Sequence, residues 1–296
     1  MNIQHKIIIG FSILSLFAYA CVKEQTPAGL VLTETVSFTD TTYTVTQLPT
    51  PQARMIFVEE ATGVHCTNCP AGAAELRNIK NAHPNRILST AVYSPFLNGF
   101  QPPAKYDFNT QDALDLVTFL GSGDPSKPSA AINRISTSAN QANTGNSYFY
   151  NKSDWNTTIN GLLSQTTPLN IDLQVFPNGS NYRLKSTVTF TDTITAELGY
   201  SVFLIEDDVI DVQDSTGVEI EDYEHMHVLR KIITPLAGSV FLSSVATKSK
   251  GTVFERTFDI VIPSNVLNKN NCHLICIVNK VGPSKEVLQA SEIHLP

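Results

Sequence analysis

The sequence predicts an α/β layer unit followed by an all-β sandwich. Segments typical of strands and helices alternate between residues 53 and 166, which favours a layered α/β architecture. After Pro168 the helical patterns stop and only strand patterns follow. We therefore expect four regions, namely a signal peptide over 1–20, a tether and linker over 21–52, an α/β domain over 53–166 and a β-sandwich domain over 167–296.

The first twenty residues have the features of a lipoprotein signal peptide. Lys6 precedes the apolar run IIIGFSILSLFAYA, which is too short for a membrane span. Small residues stand at the third and first positions before Cys21, as a lipoprotein signal peptidase requires. We expect lipidation of Cys21, with an ordinary secretory peptide as the alternative. Acyl chains on Cys21 would tether a soluble body to a membrane.

Composition excludes some classes of partner. The formal net charge is −7, and the sequence has no cluster of lysines or arginines. Nucleic acid and anionic lipid surfaces are therefore not expected as partners. Hydrophobic residues make up 42% of the chain, enough to bury real cores. The Thr-rich stretch VSFTDTTYTVTQ in the tether has the pattern of a strand, and LPTPQ that of a linker.

The α/β domain is predicted to contain three strands and three helices. Thr110 and Gly121 are expected to cap the second helix and Ser153 the start of the third, in which Trp155 and Ile159 share one stripe. The predicted strands are Arg54–Glu60, Arg86–Ser94 and 129–135, and the predicted helices are Pro70–Ala82, Thr110–Gly121 and Ser153–Gln165.

The β-rich half is predicted to contain seven strands. Asn178-Gly179 is a strong hairpin turn between the first two of them. About seven strands with turns between them favour a sandwich of the immunoglobulin or fibronectin type. The predicted strands cover residues 169–176, 182–190, 196–206, 227–234, 253–262, 272–280 and 285–295.

Cys66-Thr67-Asn68-Cys69 lies between a predicted strand and a predicted helix. Free amides and the helix dipole favour a thiolate at a helix N-terminus, so a redox-active dithiol is the preferred interpretation. A static disulfide is the main alternative. A zinc site is less favoured, because it would need Cys272 and Cys276 from the other domain.

This Cys-x-x-Cys at a strand-to-helix junction resembles the thioredoxin superfamily. The resemblance implies that Glu60, six residues before Cys66, is a buried acid beneath the dithiol. It also implies a cis-proline before the third strand, for which Pro128 is the candidate and Pro125 the competitor. Three departures stand out: His65 replaces the usual Trp, Thr-Asn replaces Gly-Pro, and SPFLNGFQPPAKYDFNT is an insertion.

A narrower resemblance covers nearly the whole mature chain. The lipoprotein signal, VEEATGVHCTNCPAG, KPSAAINR and YEHMHVLRK together resemble the outer-membrane-protein-28-related lipoproteins of Bacteroidota. This resemblance implies a thioredoxin-like domain joined to a β-sandwich at the outer membrane, facing either the periplasm or the exterior. It implies no settled activity, since the members are named for their location and an adhesin or receptor role is proposed for them.

The other two cysteines are predicted to be free thiols. Cys272 and Cys276 face the same side of a strand but lie roughly 13 Å apart along it. A disulfide requires Cα atoms within about 7 Å of each other. We therefore expect two buried thiols.

His225 and His227 alternate at the start of a predicted strand, a spacing that also suits a metal ion. An acidic stretch over residues 207–224 precedes them, but it holds no EF-hand pattern and no His-Glu-x-x-His. We expect no metal. The favoured interpretation is a solvated acidic loop, with the two histidines and Arg230 making structural hydrogen bonds.

The function predicted from the sequence is thiol–disulfide exchange without a cofactor. Cys66, expected to be the more exposed thiol, attacks, Cys69 resolves the mixed disulfide, and Glu60 relays a proton. Pro128 shapes the substrate groove. The expected partners are envelope protein thiols. The alternative is a surface binding, adhesion or receptor protein whose cysteine pair is a structural disulfide. The sequence contains no P-loop and no Gly-x-Ser-x-Gly elbow, so these motifs indicate no other chemistry.

Overall fold

The computed structural model describes residues 37–99, 103–121, 123–136 and 148–296. These residues all belong to one compact unit. The predicted signal peptide, Cys21 and the first part of the predicted tether lie outside them. Within the described ranges, every helix is too short or too polar to cross a membrane.

The described residues form seventeen strands and three α-helices. The strands are β1 (Thr39–Thr44), β2 (Ile56–Thr62), β3 (Ile87–Tyr93), β4 (Ser129–Ile132), β5 (Phe149–Asn151), β6 (Leu169–Asn178), β7 (Asn181–Phe190), β8 (Ile194–Thr195), β9 (Leu198–Glu206), β10 (Val209–Ser215), β11 (Val218–His225), β12 (Val228–Ile232), β13 (Ser239–Phe241), β14 (Thr247–Lys248), β15 (Thr252–Ile260), β16 (Cys272–Lys280) and β17 (Val287–His294). The helices are α1 (Cys69–Ala82), α2 (Gln111–Leu120) and α3 (Trp155–Leu163).

The main sheet has nine strands and is mixed. Its order is β17-β16-β9-β12-β3-β2-β4-β5, with β13 paired to β9. Strands β12, β3 and β2 run parallel to one another, and the other pairs are antiparallel. The pairing of Val228 with Ala91 joins strands from both sides of the boundary predicted at 166/167. The mixed α/β sheet is confirmed, and the boundary itself stays a prediction.

A second, antiparallel sheet packs on the β9–β16–β17 end of the main sheet. Its order is β1-β15-β7-β6, so a strand from the predicted tether forms its edge. The core between the two sheets includes Leu184, Tyr200, Phe258 and Cys276, each at most 3% exposed. All seven strands predicted for this half are present, as β6, β7, β9, β12, β15, β16 and β17.

The helices cover both faces of the main sheet. Residues Ile56 and Val58 of β2 pack against α1 and α3, while Phe57 packs on the opposite face with Leu116 of α2. This alternation follows from the period of two along a strand. Helix α2 begins as predicted, because the Thr110 side chain accepts a hydrogen bond from the Ala113 amide at 3.0 Å.

Two local predictions were wrong. Ser153 does not cap α3, since it lies inside a short 3-10 turn over Lys152–Asp154 and the helix begins after Asp154 without a side-chain cap. The acidic stretch is not a loop, because β10 and β11 form a two-stranded hairpin there. The physical reason is burial. Val209 and Val212 are 2% and 4% exposed, and Asp211 is also buried. The exposed acids of the hairpin lie on β11 and are Glu219, Glu221, Asp222 and Glu224.

Candidate functional site

The cysteine pair, Cys66 and Cys69, lies where the chain leaves β2 and enters α1. The two sulfurs are bonded at 2.13 Å, with Cα atoms 5.3 Å apart. Cys69 is the first residue of α1, and Pro70 occupies the first turn, where a helix tolerates proline. Each cysteine is 2% exposed, so the expectation that Cys66 is the more exposed one was wrong.

The β10–β11 hairpin covers the loop that carries Cys66. Gln213 is 2% exposed, and its Nε2 donates to the carbonyls of Gly63, Val64 and Cys66 at 3.1, 2.9 and 3.2 Å. The Asp214 amide also donates to the Val64 carbonyl at 2.8 Å. This hairpin, which the sequence did not predict, therefore closes one side of the cysteine pair.

His65 joins the same loop both to the segment of Leu97 and Gly99 and to the hairpin. Its amide donates to the Leu97 carbonyl at 2.9 Å, its Nε2 donates to the Gly99 carbonyl at 2.8 Å, and its Nδ1 lies 3.1 Å from Oδ2 of Asp214. A Cβ on Gly63 would lie 2.4 Å from the Leu97 carbonyl oxygen, so this approach needs glycine. The residue that replaces the usual Trp thus holds the loop closed.

Pro128 lies against the first turn of α1. The peptide bond between Lys127 and Pro128 is cis, as predicted for Pro128, and no other cis bond occurs among the described residues. A Cβ on Gly72 would lie 2.7 Å from the Cβ of Pro128 and 3.1 Å from Oε1 of Glu60. The structure therefore brings Pro128, Glu60 and the helix that carries Cys69 together, as the thioredoxin resemblance implies.

Glu60 is a buried acid without a counter-ion in contact. It is 6% exposed, and its Oε1 has no hydrogen-bond partner among the described residues. Burial raises the pKa of Glu60 to about 8, and the positive charge of Lys80 opposes part of that rise. Glu60 is therefore mostly protonated at neutral pH, and it is a titratable group next to the cysteine pair.

A cavity of about 430 Å³ opens between α1, β3 and the β10–β11 hairpin. One flank of α1 forms a wall, because positions three and four apart share a helix face. Cys69 belongs to the lining of this cavity and Cys66 does not. Its lining includes Glu60, Cys69, Ala73, Leu76, Arg77, Lys80, Ser89, Tyr93, Tyr223, Glu224, His225 and His227.

Lys80 and His227 meet inside the cavity. Nζ of Lys80 lies 2.8 Å from Nε2 of His227 and donates to Oγ of Ser89 at 3.3 Å. Burial lowers the pKa of Lys80, and the nearby charges of Glu292 and Asp207 oppose that shift. The wall of the cavity formed by α1 thus carries the amine of Lys80.

His225 is a structural residue in the back of the cavity. The Tyr93 hydroxyl donates to its Nδ1 at 2.7 Å, and its Nε2 donates to the Val212 carbonyl at 3.2 Å. Burial lowers the pKa of His225 to about 4, so the ring is neutral at neutral pH. His225 and His227 thus both make hydrogen bonds, as predicted. Arg230 does so too, because its Nε donates to Oε2 of Glu206 at 2.7 Å.

Metal ligation finds no support in the described residues. No group of three or more His, Cys, Asp or Glu side chains within them is arranged to hold an ion.

Cys272 and Cys276 are free and fully buried, as predicted. Burial raises the pKa of each thiol to about 12.

Sequence reasoning missed Gln213 and Lys80. Gln213 stood within the stretch interpreted as an acidic loop, and nothing local to it indicates that its amide reaches the cysteine loop. Lys80 could have been found, because it falls eleven residues after Cys69, on the flank of the predicted helix that also holds Ala73 and Leu76.

A family model described as outer membrane protein Omp28 matches residues 123–294, more than half of the chain. The chain belongs to the Omp28 family. This confirms the family that the sequence resembled, and the family is named for the outer membrane. The matched region of this Omp28 protein includes Pro128 and the β-rich half, but neither member of the cysteine pair.

Two solved structures have a fold similar to that of this Omp28 protein. HBP35 of Porphyromonas gingivalis is 13% identical, with a TM-score of 0.64 over 82% of this chain and 76% of that one. A protein of Agrobacterium tumefaciens is 11% identical, with a TM-score of 0.50 over 82% and 95% of the two chains. A domain of the outer membrane lipoprotein Omp28 of P. gingivalis is 16% identical, with a TM-score of 0.29 over 44% and 88%. No curated protein matches the chain.

Proposed function

We propose that this Omp28 protein is an envelope thiol–disulfide exchange protein, tethered to the outer membrane through lipid on Cys21. The arrangement β2–α1–β3, followed by β4, β5 and α3, with the strand order β3-β2-β4-β5, supports a thioredoxin-like unit. The β1-β15-β7-β6 sheet facing β9, β16 and β17 supports an immunoglobulin-like sandwich that shares strands with it.

The observation that carries the proposal is the buried, unpartnered Glu60 beside the dithiol. Burying a carboxyl group without a partner destabilises a fold, so a purely structural disulfide has no use for one. A dithiol that is oxidised and reduced must move a proton at its buried sulfur. Glu60 shares a cavity with Cys69 and has a pKa of about 8, which suits that task.

The proposed exchange uses four residues of this chain. The Cys66 thiolate attacks a substrate disulfide and forms a mixed disulfide, which releases one substrate thiolate. Ionised Glu60 takes the proton of the Cys69 thiol, and the Cys69 thiolate attacks the sulfur of Cys66. The second substrate thiolate leaves, the pair is oxidised and the substrate is reduced. Pro128 shapes the groove that holds the substrate, and no cofactor takes part.

Access to Cys66 sets a condition on this mechanism. Because Gln213 and His65 hold the cysteine loop closed, protein substrates reach Cys66 only when the hairpin moves away. The expected partners are other envelope proteins with disulfides or thiols. A neighbouring pair of apolar side chains, Phe96 and Leu97, is 52% and 38% exposed on the insertion and is suited to contact them.

A second candidate function rests on the burial of the cysteine pair. Both cysteines are 2% exposed, which also suits a structural disulfide that staples the loop to α1. In that case the protein is a surface binding, adhesion or receptor module. The insertion or the antiparallel sheet would then be the contact surface.

The reduction potential of the cysteine pair separates the two candidates. The purified chain is equilibrated with glutathione redox buffers, alkylated and assayed by mass spectrometry. A potential between about −120 and −270 mV, the span of known oxidoreductases, supports exchange. A potential below about −300 mV, typical of structural disulfides, overturns it in favour of the binding module. A Cys69→Ser variant then traps protein partners as mixed disulfides on Cys66.

A further inference from the structure

The two sulfurs of the cysteine pair have different surroundings. Cys66 lies beneath the hairpin, where Gln213 holds its carbonyl at 3.2 Å. Cys69 faces the cavity between α1 and β3, together with Glu60. A reagent that enters the cavity therefore meets Cys69 first, whereas a reagent that approaches past the hairpin meets Cys66.

The cavity has the size of a small-molecule site. Its volume of about 430 Å³ lies within the roughly 300–1,000 Å³ typical of such sites. Ala73 and Leu76 line it on the helix side, and Tyr93 lines the opposite wall. This space admits a compact organic molecule, but it does not admit the folded loop of a protein substrate.

Two cationic side chains line the cavity and are available to an anion, although Asp207 and Glu292 act on Lys80 from outside the lining. Lys80 donates to Ser89 and contacts His227, which leaves an N–H of its ammonium group for a ligand. Arg77, an exposed cation, and Glu224, an exposed carboxylate, also line the cavity. Glu60 holds its proton at neutral pH, because burial raises its pKa to about 8, and so does not repel an anion there.

We propose that the cavity admits a low-molecular-weight thiol carrying a carboxylate, and that this thiol exchanges with the sulfur of Cys69. The carboxylate lies towards Lys80 and Arg77, and the thiol points to Cys69. This inference rests on the proposed function, which it extends: proteins exchange through Cys66, and the small thiol through Cys69. The pair thus has two entrances with different selectivity.

The reaction balances in two steps. A first thiolate attacks the sulfur of Cys69, the bond between the cysteines breaks, and Cys66 leaves as a thiolate. A second thiolate attacks the outer sulfur of the mixed disulfide, and Cys69 leaves and takes the proton of Glu60. The pair gains two electrons, and the two thiols lose them as they form their disulfide. The two protons released by the thiols restore Glu60 and protonate Cys66.

Single-cysteine variants of the full chain test the second step in reverse. Cys66→Ser keeps Cys69, and Cys69→Ser keeps Cys66. Each variant is treated with dithiodipropionate, an anionic small disulfide, and with cystamine, its cationic counterpart. Peptide mass spectrometry follows mixed-disulfide formation and separates out Cys21, while buried Cys272 and Cys276 serve as internal controls. We expect Cys69 to react about tenfold faster than Cys66, and faster with the anion than with the cation.

Helix α1 offers a matched pair of cavity variants. Ala73→Phe fills the cavity, and Ala74→Phe places the same ring on the exposed side of the helix. In the Cys66→Ser background we expect Ala73→Phe to slow the reaction of Cys69 about tenfold and Ala74→Phe to leave it unchanged. Arg77→Glu, an exposed change that does not disturb packing, should remove the preference for the anion even where Ala73→Phe fails to fold.

The results distinguish failure of this inference from failure of the proposed function. Equal or faster reaction of Cys66, or equal slowing by both phenylalanine variants, overturns the inference and leaves exchange at Cys66 standing. Reaction of Cys69 without any preference between dithiodipropionate and cystamine overturns the anionic ligand. The reduction potential of the unmodified pair decides the proposed function independently, since it does not depend on which sulfur reacts first.

Discussion

Arg134 and Glu59 form an ion pair in which neither side chain is exposed, with Nη2 of Arg134 2.7 Å from Oε1 of Glu59. Glu60, the next residue, points to the opposite face of β2 and has no such partner. Two adjacent carboxyl groups of one buried strand therefore have different environments. Glu59 is held by a cation on the α2 face, and Glu60 is left to titrate on the face of α1 and the cysteine pair.

Removing one member of the Arg134–Glu59 pair should strongly destabilise the fold. Arg134→Met leaves the Glu59 carboxylate buried without its cation, and we expect a loss of about 3–5 kcal/mol in the free energy of unfolding. Urea denaturation followed by circular dichroism measures it. The double variant with Glu59→Leu should recover much of the loss, because two apolar groups replace the pair. Additive losses would contradict the coupling.

Glu60 should make stability depend on pH in a known direction. Its pKa is 4.5 for the exposed group and about 8 in the fold, so the folded state holds the proton more tightly. The stabilising contribution is full below about pH 4.5 and is lost as pH rises through about 8. At about 1.4 kcal/mol per pKa unit, several kcal/mol are at stake.

Glu60→Gln tests this, because glutamine cannot titrate. Denaturant unfolding between about pH 5 and pH 9 should show the unmodified chain losing stability relative to Glu60→Gln as pH rises. Glu224→Gln, which changes an exposed acid of the same cavity, is the control and should leave the slope unchanged. Parallel curves for Glu60→Gln and the unmodified chain would mean that Glu60 is not the buried titrating group.

Local patterns predicted most of the elements, and the reasons are local. The seven strands of the β-rich half follow from alternation, and the start of α2 follows from Thr110, whose side chain bonds the amide of Ala113. The cysteine pair, Glu60 and Pro128 were identified by resemblance, and the structure places them around one helix turn.

Features that depend on pairing between distant strands could not be predicted from the sequence. The alternation of β12 does not reveal that Val228 pairs with Ala91 and joins the two halves into one sheet. The sequence did not indicate the β10–β11 hairpin, because exposed acidic residues dominate its composition. Asp211 in this hairpin is buried, and its carboxylate accepts hydrogen bonds from the amides of Lys105 and Tyr106. Burial of Cys66 depends on that hairpin, so its exposure was predicted wrongly.

Gly72 should be intolerant of a side chain. Gly72→Ala places a Cβ 2.7 Å from the Cβ of Pro128, and we expect a loss of about 1–3 kcal/mol from overpacking. Gly161→Ala in α3 is the matched control, since a Cβ there meets nothing within 4 Å. The control should gain about 0.5–1 kcal/mol from helix propensity. Thermal unfolding measures both, and equal effects would argue against the contact between α1 and Pro128.

Gln213 should control how fast a protein-sized reductant reaches the cysteine pair. Gln213→Ala leaves the carbonyls of Val64 and Cys66 without this donor, so we expect a loss of about 1–3 kcal/mol and a looser hairpin. Reduction of the pair by a thioredoxin, followed by alkylation and gel shift, should be about tenfold faster.

Gln289→Ala separates this effect from general destabilisation. Gln289 is equally buried, and it accepts the Met55 amide at 2.8 Å near the start of β2, away from the cysteine loop that follows the end of this strand. We expect a similar loss of stability and no change in the reduction rate. If both variants speed reduction equally, access to Cys66 follows global unfolding, and the hairpin is not its gate. If neither does, Cys66 is reached by a route that Gln213 does not close.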